Sequence, residues 1–370
     1  MCGRAKRNGG PSARRVVTAV GVLTVTRRYW QCPCGADGGY AADAVLGLDQ
    51  RVSRVVQKHC CRLAADVSFA KAAEHLREML GVRLAPETIR TVVAEHGRAM
   101  ARFQPRDAVT ARAFAGAKGG VEVAIDAGKV NTREHGWKDL KIAVVSKREA
   151  GEPAAPQRWH QEDRLPAPTA AVAWAMIAAS KVFRKTWAPS LRRLGVTAFA
   201  DVHALGDGAG WIWKSVDRVL PGCTQTLDIY HANERLSGCA QRVFGEGTAG
   251  ATAAFERGRE LLLRDGWSGV CAWVAELLTV ENPEELTRRQ KATEKLVGYF
   301  AKHTTRLNYR ACLTRGRAIG SGAVEGQAKT LGLRLKARGA RWCKKNVRPM
   351  ASLVCVRNSM QWEPYWALAA

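Results

Sequence analysis

Acidic residues are scarce in this chain. Only 33 Asp and Glu stand against 58 Lys and Arg in 370 residues, which gives a formal net charge of +25 and a pI near 10.1. That imbalance argues against a cationic partner and points to a polyanion, because Lys and Arg that neutralise phosphates release condensed counterions. The cations also cluster. Met1 to Arg62 holds 11 Lys/Arg against 3 Asp/Glu, and Arg288 to Arg348 holds 17 against 2, whereas a merely solvating bias would be even. Long hydrophobic runs are missing too. The longest, APTAAVAWAMIAAS from Ala167 to Ser180, falls short of the ~20 residues that span a bilayer and reads as a buried helix, so no membrane partner is expected. No long apolar segment follows the basic N-terminus, so no signal peptide is expected, and the expected location is the cytoplasm, in association with the nucleoid. The 11 cysteines are scattered. They exclude a disulfide framework and read mostly as small buried hydrophobes. Internal repeats are absent. What remains is 46% hydrophobic residues, ample for a core in two or three domains.

Residues 1–45 read as a β-rich module. VVTAVGVLTVTRRYWQC is β-branched and aromatic, and it runs into Cys32-Pro33-Cys34-Gly35, a cysteine pair of the kind that ends strands in zinc ribbons. A ribbon needs four ligands, and only Cys2, Cys32 and Cys34 are near, so Zn²⁺ binding stays open and the ribbon is partial. Residues 46–110 read as helical. Phe69, Ala72, Ala73, Leu76 and Leu80 share one face, Gly81 breaks the helix, and Pro86 restarts it in a first turn, where proline is tolerated. Two helices across a short glycine turn form a helix-turn-helix pattern. It would offer Arg83, Thr88 and Arg90 to DNA; an ordinary helical hairpin is the structural alternative.

From about Val121 the pattern becomes α/β. VEVAID reads as a strand, KDLKIAVVSKR as its hairpin partner, and the polar, proline-rich stretch that follows as a loop with a third strand near Arg158. Ala167–Leu194 reads as helix, Val196–Leu205 as strand, Trp211–Leu220 as helix and Cys223–Leu227 as strand. These are the elements of a ribonuclease-H-like mixed sheet. The first part of that core is expected over 111–231, an all-helical insertion over 232–312, and the return to the core with a basic C-terminal helix over 313–370.

Three carboxylates occupy positions that suit chemistry better than structure. Asp126 ends an apolar strand, Asp207 sits between Gly206 and Gly208, and Glu325 follows Gly320-Ser321-Gly322. Acids held at the ends of rigid elements suit Mg²⁺, which takes a few carboxylates plus phosphate oxygens. Two such ions can serve both oxygens of a phosphodiester displacement. Asp201 rivals Asp207, but it is followed by VHAL, a continuing strand, whereas Asp207 lies in a glycine turn that permits close approach. Glu234 rivals Glu325 but follows the strand end too closely. Ser321 is a candidate helix cap. His231 is either a buried histidine bonded to a carbonyl or a group near the scissile phosphate that orients Asp228. Trp211 and Trp213 are candidates to stack a base, although at that spacing at least one belongs to the core.

Together DGAGWIW, LDIYHANE and GSGAVEG resemble the insertion-sequence transposases of the ISKra type, which are similar to the Mutator-like Asp-Asp-Glu transposases. The resemblance runs from the cysteine module to about Trp342. It implies a ribonuclease-H-like core with a helical insertion before the last acid, and cleavage and strand transfer of double-stranded DNA at terminal inverted repeats and in target DNA. Carried over motif by motif, Asp126, Asp207 and Glu325 are the catalytic and metal-binding acids, and Asp228 and His231 belong to an accessory Asp-x-Tyr-His motif. The implied cofactors are two Mg²⁺, with Mn²⁺ as a substitute, and the implied assembly is a homodimer or larger on paired ends. The departure lies at the front, where a first cysteine is missing. Basic residues Arg334, Lys336, Arg338 and Arg341 follow the third acid and are further expected DNA contacts. Two other functions compete: a decayed or domesticated DNA-binding protein without catalysis, and a structure-specific nuclease on the same fold.

Overall fold

The computed structural model describes residues 5–368 except 36–37, 42, 44–47, 49–50, 161–163 and 197–200. The front of the chain is a three-stranded antiparallel sheet. β1 (Arg7–Thr18) pairs with β2 (Gly21–Gln31), and β2 with the short β3 (Gly38–Tyr40). The helices α1 (Arg54–Ala64), α2 (Phe69–Leu80) and α3 (Pro86–Phe103) come next. Gly81 ends α2 in the left-handed conformation at φ 65°, which glycine adopts without a Cβ penalty. Pro86 opens α3 at a position where its missing N–H costs nothing. A short helix α4 (Ala108–Gly116), capped by Asp107, leads into the main sheet.

That sheet has five strands in the order β6-β5-β4-β7-β8. β4 (Gly120–Thr132) and β5 (Gly136–Arg148) form a long antiparallel hairpin, and β6 (Ala170–Ile177) pairs antiparallel with β5. β7 (Val202–Gly206) and β8 (Thr224–Leu227) run parallel to β4 on its other side. The helices α5 (Ser180–Arg193) and α6 (Gly210–Val219) supply the parallel crossovers. The result is a mixed α/β fold whose strand order and directions are those expected of a ribonuclease-H-like core.

Three expectations fail here. The apolar run after Ala167 is not a helix: it is strand β6, and α5 begins only at Ser180. Both faces of β6 are covered, Trp174 and Met176 by one core and Ala173 and Ala175 by the other, so the run carries no alternation to mark it as a strand. The stretch around Arg158 is a single 3-10 turn, not a strand. Asp126 also lies within β4 rather than at its end, because the hairpin continues to Thr132.

The sheet separates two cores. On one side Val121, Val123 and Ile125 of β4 pack with α5, α6 and a helical stretch made of α7 (Ile229–Phe244), α8 (Ala249–Asp265), α9 (Trp267–Leu278), α10 (Pro283–Phe300) and α11 (Tyr309–Thr314). On the other side Ala124 and Val130 pack with α1–α3 and with α12 (Gly322–Leu335), α13 (Lys344–Arg357) and α14 (Trp362–Leu368). At Gly97 the helix α3 lies directly against the backbone of Pro349 in α13, where a Cβ has no room. No described helix is long and apolar enough to cross a membrane.

Candidate active site

The register of the three central strands brings acids side by side. Gly206 of β7 is paired with Ile125 on one side and Leu227 on the other. One residue further along all three strands stand Asp126, Asp207 and Asp228, on neighbouring strands that lie about 4.8 Å apart. Asp201, the rival second acid, sits at the opposite end of β7. It is exposed and paired with Arg317.

Each acid is fixed by its own local structure. Asp126 is half-buried, and its Oδ1 accepts the N–H of Ala127 at 2.6 Å. Asp207 is half-buried in a tight turn. Its Oδ1 accepts the Ala209 N–H at 2.7 Å, and its carbonyl accepts from Trp213 Nε1 at 2.9 Å. Trp213 is therefore a core residue that holds the turn, and Trp211 is half-buried beneath Lys141 and against Phe183. Neither tryptophan is a free stacking platform. Asp228 is fully buried. Its Oδ1 caps α7 by accepting from His231 N at 3.0 Å, and its Oδ2 accepts both the N–H and the hydroxyl of Ser321, at 2.5 and 2.6 Å.

That last pair of bonds explains the position of Glu325. Ser321 does not cap its own helix through its side chain, contrary to expectation. Its hydroxyl points instead to Asp228, and the backbone of Ile319 accepts from Ile229 N at 3.0 Å. The loop before α12 is thus stitched to the end of β8 across a long stretch of chain, and Glu325 rides in the first turn of α12. α12 packs on β4, and the Asp228 and Asp126 carboxylates act on Glu325.

Electrostatics link the acids. Burial first, then the Asp126 and Asp228 carboxylates, hold the Asp207 carboxyl above its usual range, opposed by the Ala209 N–H and by His231. Glu325 is raised first by burial and then by Asp228 and Asp126, against Lys329 and His231. His231 is half-buried, and its Nδ1 lies 3.3 Å from Glu234 Oε2. It neither orients the Asp228 carboxylate through its ring nor hides in the core.

The helical stretch also supplies groups that the sequence motifs do not announce. Tyr299 of α10 lies against Gly208, where any Cβ would overlap the phenol ring. Arg235 of α7 stacks 4.8 Å from the Tyr299 ring centroid. Burial raises the Tyr299 phenol, with Asp207 and Asp228 adding to the effect. His303, buried beside Trp213 and Tyr299, is held low by burial and by Arg306. Tyr299 follows a plain amphipathic pattern, and only the closeness of the Gly208 backbone reveals its placement.

Among the described residues, no three His, Cys, Asp or Glu side chains stand close enough to form a ready-made metal cage. Mg²⁺ needs no such cage, since one or two carboxylates with water and substrate phosphate suffice. The donors here are all oxygen, and the burial and neighbouring carboxylates that raise Asp207 and Glu325 are costs of negative charge that a hard cation relieves, so the residues fit that ion. Zinc fares differently. Cys32 Sγ and Cys34 Sγ are 2.8 Å apart, Cys2 lies outside the described residues, and two sulfurs are half of what a ribbon requires.

The expected DNA contacts divide. Arg83 is exposed at the α2–α3 turn and Thr88 is half-buried. Arg90 is exposed but pairs with Glu87, Nε to Oε2 at 2.7 Å. Lys336, Arg338 and Arg341 are exposed at and beyond the end of α12. Arg334 is a correction: it is 5% exposed, donates to the Ala64 carbonyl at 2.6 Å and lies 4.8 Å from the ring centroids of both Phe69 and Trp342. Burial pulls its guanidinium down to about 10. It ties α12 to α1 and α2 and offers nothing to a phosphate.

No protein-family model matches the chain, and no curated protein matches it by sequence. Among solved structures, a Drosophila P element transposase strand transfer complex is similar at a TM-score of 0.36 and 10% identity, over 84% of this chain and 93% of that one. At that level of similarity the fold assignment stands on the strand order of this chain itself.

Proposed function

We propose that this chain is a DNA transposase of the Asp-Asp-Glu type that cleaves and joins phosphodiester bonds at the ends of an insertion sequence. The observation that carries the proposal is the row of Asp126 and Asp207 at the end of the paired segment of β4 and β7, with Glu325 on the helix packed over β4. The net charge of +25 supports a nucleic-acid substrate, and the ISKra-type motifs give the finer assignment.

Asp126, Asp207 and Glu325 are the proposed ligands for Mg²⁺, or Mn²⁺ in its place. When bound, the metal supplies charge stabilisation at the scissile phosphate and a more acidic water. The protein's own part is positioning. The Trp213 and Ala209 bonds hold the Asp207 turn, and the Asp228–Ser321 bonds hold Glu325 over β4, so little reorganisation is left for the moment of reaction. Exposed cations around the α2–α3 turn and after α12 bind the backbone and set register without reading bases. The same acids serve hydrolysis, which frees a 3′-hydroxyl, and the attack of that hydroxyl on a second duplex.

Asp126→Asn tests the proposal: Mg²⁺-dependent nicking of end-containing DNA should fall by at least a thousandfold while DNA affinity stays within about twofold. Nicking at the wild-type rate would remove Asp126 from the site. One competing function is a DNA-occupying protein without catalysis; tight binding with no nicking by wild type in Mg²⁺ or Mn²⁺ would establish it.

A further inference from the structure

A groove of about 740 Å³ lies between α5, α6 and the loop before β8. Four of its lining residues are cations, Arg184, Lys185 and Arg192 from α5 and Arg218 from α6, and among the described residues no Asp or Glu lines it. Among the described residues none of the four takes part in an ion pair. The nearest acid in sequence, Asp217, accepts instead from Gln225 Nε2 at 2.6 Å, and Asp201 at the foot of β7 is paired with Arg317. The floor is apolar, with Val196, Val202 and Leu220. Arg184 and Arg192 stand two turns apart on one helix face, about 12 Å along the axis. That span covers the rise of three to four phosphates along one strand of a duplex at ~3.4 Å each.

The groove is remote from the acids. Its wall includes Val202 and Thr224, the first residues of β7 and β8, whereas Asp207 and Asp228 follow the last residues of those strands. Five residues of strand separate the two ends, about 13 Å at 3.3 Å per step. The groove is therefore a contact apart from the acids, about four base-pair steps away along a duplex at ~3.4 Å each.

We propose that this groove is a duplex-DNA contact apart from the acids, which grips the phosphate backbone. This inference rests on the DNA-acting function proposed above and adds a backbone contact at the opposite end of the strands. Backbone contacts alone predict affinity without base preference and a strong dependence on salt.

The test is the salt dependence of binding of the full chain to random-sequence duplex, without metal. In Arg184→Ala/Lys185→Ala/Arg192→Ala/Arg218→Ala, the slope of log K against log salt should become less negative by about 3 to 4, at ~0.9 per lost contact. Thermal unfolding should show that the variant is folded, and Arg184→Lys/Arg192→Lys/Arg218→Lys, which keeps the charge, should keep the slope. An unchanged slope in the alanine variant would overturn the proposal. So would an unchanged DNA slope with lost binding to poly-glutamate, which would assign the groove to an acidic protein. The readout needs no cleavage. A chain that never cuts DNA but loses slope keeps the groove and sinks the transposase proposal, and a chain that cuts with slope unchanged does the reverse.

Discussion

The two ends of the parallel strands β7 and β8 carry opposite charge. At their carboxyl ends stand Asp207 and Asp228, with Asp126 alongside and Glu325 on the facing helix; at their amino ends lies a groove walled by Arg184, Lys185, Arg192 and Arg218. In a chain with nearly two cations per acid, cations collect anywhere at little cost. Acids that repel one another, in partly buried positions, do not collect by accident. The acid end is also the more heavily built. Asp228 is wholly buried with three donors, the Asp207 turn is bonded on both sides, and Tyr299 closes over Gly208. The cation end carries its charge on one half-buried and three exposed residues. The difference separates a tightly bonded acid cluster, the proposed reaction site, from an open cationic surface.

Several substitutions break or sharpen that contrast. Asp228→Ala should cost the most, roughly 3 kcal/mol in urea unfolding, because it orphans buried donors from Ser321 and uncaps α7. A cost under about 0.5 kcal/mol would mean that the Asp228–Ser321 stitch does not hold α12. Gly208→Ala should cost about 2 kcal/mol, since the new Cβ meets the Tyr299 ring. Adding Tyr299→Ala should return part of that loss, and a strictly additive double variant would contradict the contact. Ser321→Ala should cost about 1 kcal/mol, as it removes one donor and leaves the backbone bond to Asp228. Asp207→Asn should have the smallest effect on stability and the opposite sign, raising Tm by roughly 1–3 °C at neutral pH. The sign follows from the raised carboxyl. An acid whose folded pKa lies above its unfolded value favours the fold when protonated and weakens it as pH rises through that range. The gain from Asp207→Asn should therefore be present at pH 7 and vanish on acidification, once wild-type Asp207 is itself neutral. A loss of stability at pH 7 would contradict the burial and acid–acid repulsion that hold the Asp207 carboxyl up.

Much of this site is visible in the sequence, and its limits have physical causes. The glycines around Asp207 and the apolar lead-in to Asp126 mark chain segments that must turn or pair at fixed points, and the two acids do lie side by side in the sheet. β6 was hidden because a strand covered on both faces loses its period, and AAVAWAMI then looks like a helix rich in alanine. The part played by Asp228 could not be read at all. It depends on Ser321 arriving from the far side of the helical stretch, and no local pattern encodes that meeting. The same holds for Tyr299 and Arg235. Arg334 shows the opposite error: a basic stretch suggests a DNA face, but one of its members is enclosed by Phe69 and Trp342, where its stem and guanidinium pack rather than bind.

The central claim is that the acid end of the sheet performs phosphodiester chemistry. The most direct measurement is Mg²⁺-dependent cleavage and strand transfer on DNA carrying the source element's ends, with wild type, Asp207→Ala, Glu325→Ala and Asp201→Ala side by side. The predicted result is cleaved and joined products from wild type and from Asp201→Ala, and none from the other two. Products from Asp207→Ala or Glu325→Ala, or their loss in Asp201→Ala alone, would contradict it.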